Sequence, residues 1–210
     1  MNQLHDPELA HLFLVVKEVL TKNREQFNLA DTINGNHGDH MVEIFHLAAR
    51  AALEKGTANF AEVMFFASEL LKSLEDNGSA RIYGLGLAEF AAQFQIHNIS
   101  LVDLIHYIKN YLGKESNAIP DQKNKDKDIL KALVSGLTGW KDAESTKESR
   151  MNLLSLFDLG IIYFQACERG DSKVEILADA AATASPLSKI PYRQQSAKMA
   201  LQTLLEAMSV

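Results

Sequence analysis

The chain has little of what would tie it to a membrane, to nucleic acid or to an oxidising compartment. One cysteine among 210 residues excludes an intramolecular disulfide. That residue, Cys167, falls in an apolar helical pattern and reads as a buried thiol, not a nucleophile. No stretch approaches the roughly 18 consecutive apolar residues of a membrane span. Met1 to Pro7 lack the basic start and apolar run of a secretion signal, so a cytoplasmic location is expected. Positive charge is scarce: 21 Lys and Arg against 27 Asp and Glu give a net charge of −6. With no basic cluster to offset this, neither nucleic acid nor an anionic membrane surface is an expected partner. There are only four prolines and eleven glycines. Alternating Val, Ile and Thr runs are few, which argues against a sheet protein.

What is present is helical periodicity over most of the length. Hydrophobic residues at 47% and charged residues at 23% fit one globular domain over residues 1–210. The apolar spacing predicts helices over about 7–20, 40–55, 59–75, 80–96, 100–112, 129–140, 148–168, 174–184 and 193–208. Residues 113–128, polar with alternating Lys and Asp, read as an exposed connection. The expected class is all-α: eight to nine antiparallel helices in an up-and-down bundle or barrel.

Two glycine turns interrupt this pattern. Between Asn28 and Met41, the run Asn34-Gly35-Asn36-His37-Gly38 carries the strongest turn signals, and a helix restarts at once behind it. A turn that opens a helix aims unpaired backbone N–H groups outward, a common way to hold an anion or phosphate. The second turn is Asp76-Asn77-Gly78-Ser79. Here Ser79 is either a plain helix N-cap or a phosphate contact.

Both turns resemble motifs of the dihydroxyacetone kinase L-subunit (DhaL) family. Asn34-Gly35-Asn36-His37-Gly38-Asp39-His40-Met41 is similar to that family's Asp-Gly-Asp-His-Gly-x-Asn-Met loop, and Asn77 to Gly84 is similar to its Gly-Thr-Ser-Gly-x-Leu-Tyr-Gly run. Lys147 to Leu153 matches a third motif weakly. The order of helices and turns agrees across nearly the whole chain, with residues about 98–126 as an insertion. The resemblance implies an eight-helix barrel that binds ADP or ATP with Mg2+. It implies nucleotide contacts at Gly35, His37, Gly38, His40, Met41, Gly78, Ser79 and Ala80, with His37 the candidate catalytic residue. It implies metal positions at Asn28 (with Leu29 beside it), Asn34 and Asn36. The activity implied is phosphoryl transfer to a small hydroxy-ketone, together with a dihydroxyacetone kinase K subunit or a phosphotransferase-system protein, in a homodimer.

The chain departs from that family where charge matters. The aspartates that hold magnesium there are asparagines here. Magnesium prefers carboxylate oxygen and dehydrates reluctantly. Each lost unit charge this close to an ion is worth several kcal/mol, so the paired ions are expected to be lost or much weakened. Asp31, Asp39 and Glu43 could supply displaced ligands, Asp39 being the nearest substitute, or His37, His40 and Asp39 could hold zinc. Against these stand plainer readings: Asp39 favoured by the helix dipole, and His40 and His46 as partly exposed helix residues. The family's arginine-containing lid is reduced to Ser185–Tyr192, leaving Lys189 and Arg193 as its only cations. The expectation is therefore a DhaL-like nucleotide- or phosphate-binding domain whose transfer activity is weakened or lost. The alternatives are a non-catalytic ligand-binding or regulatory relative, and a helical interaction module with an empty cleft.

Overall fold

The computed structural model describes residues 7–56, 58–112, 129 and 172–210. Among them all regular structure is helical: α1 (Pro7–Lys22), α2 (Arg24–Ala30), α3 (His37–Glu54), α4 (Phe60–Lys72), α5 (Gly78–Ile96), α6 (Leu101–Leu112), α7 (Lys173–Ala184), a 3-10 turn at Pro186–Lys189, and α8 (Pro191–Ser209). The all-α class expected from periodicity is what is observed. The expected helices over 129–140 and 148–168, Cys167 within the latter, and the polar connection over 113–128 lie outside the described residues, Ile129 excepted.

Local sequence explains where the helices start. Pro191 occupies the first turn of α8, where a missing N–H costs nothing. Asn59 and Glu62 form a capping box on α4, the Glu62 N–H donating to Asn59 Oδ1 at 3.0 Å. Ser172 and Glu175 do the same for α7. Four starts differ from expectation: α3 begins at His37 and not near residue 40, so His37 and Gly38 are helical, and α8 begins at Pro191 and not Arg193. The segment before the first glycine turn is not loop throughout, because Arg24 to Ala30 coil into α2 directly behind α1. The second glycine turn ends two residues sooner than expected. Asn77 is the N-cap of α5, its side chain accepting from the Ala80 N–H at 2.9 Å, so Gly78 and Ser79 are the first two helical residues.

α1 lies against α3, α3 against α4, and α4 against α5, while α8 packs on α1, α6 and α7. Between them Leu9, Val16, Leu20, Met41, Ile44, Val63, Leu71 and Phe94 form one continuous core, which also takes up Ile129. The short α2 is pinned by Phe27, 1% exposed. Burying such a side chain stabilises by about 1.5–3 kcal/mol, enough to hold seven residues that would not stay helical alone. This fixes the first glycine turn between two anchored helices. The starts of α3, α5 and α8 are thereby brought to one place.

Candidate functional site

The first glycine turn is built around Asp31. Its buried carboxylate accepts from the Ile33 N–H at 3.0 Å and the Asn36 N–H at 3.4 Å. The Asn34 N–H and the Tyr192 hydroxyl also point to it. Burial pushes this carboxyl up, but these donors outweigh it and hold it below the usual aspartate range. Gly35 takes a left-handed φ of 69°, the conformation that favours glycine. Asn34 and Ile33 stand exposed on the outer side of the turn.

The start of α3 is capped from another helix. The Asn36 side chain makes no capping bond. Instead Asn28 of α2 reaches across, its Oδ1 accepting from the Gly38 N–H at 2.7 Å and the Asp39 N–H at 3.2 Å. Its Nδ2 donates to Asp39 Oδ2 at 2.8 Å. Arg24 pairs with the other Asp39 oxygen at 3.5 Å. The helices touch through backbone here: a Cβ on Gly38 would stand 2.1 Å from the Arg24 carbonyl oxygen. Gly38 is therefore required by packing, whatever it does for a ligand.

These contacts bear on the metal positions. Both polar ends of Asn28 are engaged within the protein, Leu29 points to solvent at 86% exposure, and Asp39 already has a cation. Asp31 is surrounded by donors. Glu43 accepts from Asn77 Nδ2 at 3.0 Å. Among the described residues no three His, Cys, Asp or Glu side chains converge as ligands. Each of these polar groups is thus already engaged by partners within the protein.

His37 is turned inward, 2% exposed, with Nε2 at 2.8 Å from the Ser196 Oγ of α8. Its ring contacts Tyr192 at 4.9 Å and the Phe27 edge at 6.3 Å. Burial, with the Arg193 charge adding to it, lowers its pKa to about 4, so the imidazole is neutral at ordinary pH. Met41 is fully buried in the core and His40 half-buried; the His40 carbonyl accepts from Asn77 Nδ2 at 3.2 Å. That bond clamps the start of α5 to the first turn of α3.

The start of α5 is arranged differently. Asn77 serves Ala80, and the Arg81 N–H donates to the Asn77 carbonyl at 3.3 Å. No described residue accepts from the N–H of Gly78 or Ser79. Ser79 and Ala80 are buried, whereas Gly78 is open to solvent. The nearest atom to a Cβ at Gly78 would be Nη2 of Arg193, at 3.9 Å. Arg193 lies in the first turn of α8 beside Tyr192, whose hydroxyl proton burial and the Asp31 carboxylate hold on more tightly than usual. Arg193 Nε is buried without a hydrogen-bond partner among the described residues, as is Asn36 Oδ1. Lys189, the other cation of the short lid segment, is exposed.

Of the residues expected to contact a nucleotide, then, Gly78 and Ser79 have backbone N–H groups with no acceptor among the described residues. Gly38, Met41 and Ala80 serve packing, and His37 faces the interior. Sequence reasoning did not find Ser196 or Tyr192, and it read Asp31 only as a spare metal ligand. A separate groove of about 500 Å3 between Val15, Val19, Met199, Thr203, Glu206 and Val210 lies at the far end of α8 and shares none of these residues. No protein-family model, no curated protein and no solved structure matches the chain.

Proposed function

We propose that this chain is a DhaL-like domain that binds a phosphate-bearing ligand of the nucleotide class at the start of α5, and that it does so without magnesium and without transferring phosphate. The observation that carries this reading is the buried Nε–H of Arg193, which finds no acceptor among the described residues although the guanidinium also touches the Tyr192 hydroxyl, beside N–H groups of Gly78 and Ser79 that likewise find none among them. A permanently charged guanidinium with an unmet buried donor calls for an anionic acceptor. A helix start supplies further donors and a favourable dipole for the same anion. Arginine would then supply the positive charge that metal ions supply in the family the sequence resembles.

Phosphoryl transfer requires cations against the developing phosphate charge and a positioned acceptor. The acids nearest the turn are engaged in holding it together, which favours a binding or regulatory role over that of a phosphotransferase component working with a K-type partner. No helix among the described residues is long and apolar enough to cross a membrane. A cytoplasmic protein answering to a nucleotide is consistent with that. Calorimetric titration of the whole chain with ADP, ATP and inorganic phosphate, each with and without Mg2+, tests the reading. Binding of ADP that persists in a chelator and weakens by about 1.5–3 kcal/mol in Arg193→Gln is expected. Absence of heat with every ligand, or tight binding only with Mg2+, would overturn it.

A further inference from the structure

We infer that His37 and Ser196 form a latch that fixes Arg193 at the start of α5, and that the His37 imidazole carries its proton on Nε2. The latch is read from geometry alone; only its consequence for anion binding rests on the function proposed above.

Ser196 Oγ lies 2.8 Å from His37 Nε2 and 3.0 Å from the Arg193 carbonyl oxygen. A hydroxyl has one proton, and a carbonyl can only accept. Both contacts are satisfied together in one arrangement: the hydroxyl donates to the Arg193 carbonyl, and its lone pair accepts from Nε2–H. His37 at 2% and Ser196 at 0% exposure are both shielded from bulk solvent. In such a setting an unmade bond costs more than it would at the surface. The imidazole is further wedged between Phe27 of α2 and Tyr192 of α8.

The latch therefore joins the first residue of α3 to the main chain of Arg193, whose side chain reaches Gly78 of α5. Three helix starts are held in register through one hydroxyl. His37 is a positioning residue here: its Nε2 addresses the protein interior, and its effect on a ligand passes through Arg193.

Two measurements on the full chain test this. Nitrogen-15 NMR of labelled histidine at neutral pH should show His37 as the Nε2–H tautomer; the Nδ1–H tautomer would overturn the latch. Solvent exchange of the Arg193 Nε–H should quicken about tenfold in Ser196→Ala and in His37→Ala, the loss expected for one buried hydrogen bond. His37→Gln, which keeps an N–H donor, should stay close to wild type. Unchanged exchange in both alanine variants would also overturn it. In the ADP titration Ser196→Ala should bind about tenfold more weakly, and the double variant no worse than either single one. If wild type binds neither ADP nor inorganic phosphate, the proposed function fails, while tautomer and exchange still decide the latch.

Discussion

The two glycine turns look alike in sequence and are put to different uses. In the turn before α3 the main polar groups have partners within the protein, Asn36 Oδ1 excepted: Asp31 gathers the turn, Asn28 caps the helix, and Arg24 pairs with Asp39. In the turn before α5 the N-cap Asn77 serves Ala80 and ties to α3, and the next two N–H groups find no acceptor among the described residues, with a guanidinium beside Gly78. The difference shows that the donors of a helix start can be taken up by packing when an acceptor such as the Asn28 amide occupies them. On the function proposed above, the donors left for an anion are those at the start of α5.

Substitution of the two glycines should separate these uses most sharply. Gly38→Ala forces a methyl into the Arg24 carbonyl and should cost about 3 kcal/mol or more, measured by urea denaturation. Gly78→Ala meets only the mobile end of Arg193, so stability should change by less than about 1 kcal/mol, while ADP binding weakens. Equal stability losses at the two positions would erase the distinction drawn here.

Acid should act on the first turn before the second. His37 titrates near 4 in the folded chain against 6.5 unfolded. The unfolded chain therefore takes up a proton that the folded chain refuses. Stability is full above pH 6.5, falls as pH drops toward 4, and levels off below, a loss of up to about 3 kcal/mol. The groups facing His37 do not reverse the sign: Arg193 and His40 add to the depression, and Asp31 opposes it only in part. Asp31, itself held low, adds a further loss in more acid solution. A denaturation midpoint that stays constant from pH 7 to pH 4.5, or that is as steep in His37→Gln, would contradict this.

Smaller effects bear on ligands and caps. Arg193→Gln should weaken ADP or phosphate binding by about 1.5–3 kcal/mol, the range for hydrogen bonds to charged groups, with the melting temperature nearly unchanged. Asn28→Ala and Asn77→Ala should each cost about 1 kcal/mol of stability, yet only the second should disturb binding. Smallest is the gain in the combined Asn34→Asp and Asn36→Asp variant. It should acquire weak Mg2+ affinity by calorimetry that the natural chain lacks. Tight Mg2+ binding by the natural chain would refute the assignment of the first turn to structure.

Much of the fold could be read from residue spacing, because apolar stripes such as Leu9, Leu12, Val16 and Leu20 leave little choice but helix. The turns announced themselves through Asn-Gly pairs. α2 escaped notice because it is short and separated from α1 by the single residue Asn23, with no glycine or proline to mark the break. Asn77, not Ser79, caps α5; both residue types favour that position, and only the backbone decides between them. The site was legible in its local parts and illegible in its assembly. His37 and Ser196 lie 159 positions apart, and nothing near either announces the other. The last helix was expected from Arg193, with Pro191 and Tyr192 in the lid; instead Pro191 opens α8, which sets Tyr192, Arg193 and Ser196 on its first two turns.

The cap that Asn28 lends to α3 makes the beginning of one helix conditional on the docking of another. If α2 lifts away, the Gly38 and Asp39 amides lose their acceptor and the Gly38 backbone its seat at the same moment. α2, the Asp31 turn and the opening residues of α3 thus constitute a single cooperative opening unit, whose amide protons should share one exchange rate. The remainder of α3, rooted in the core, should outlast it.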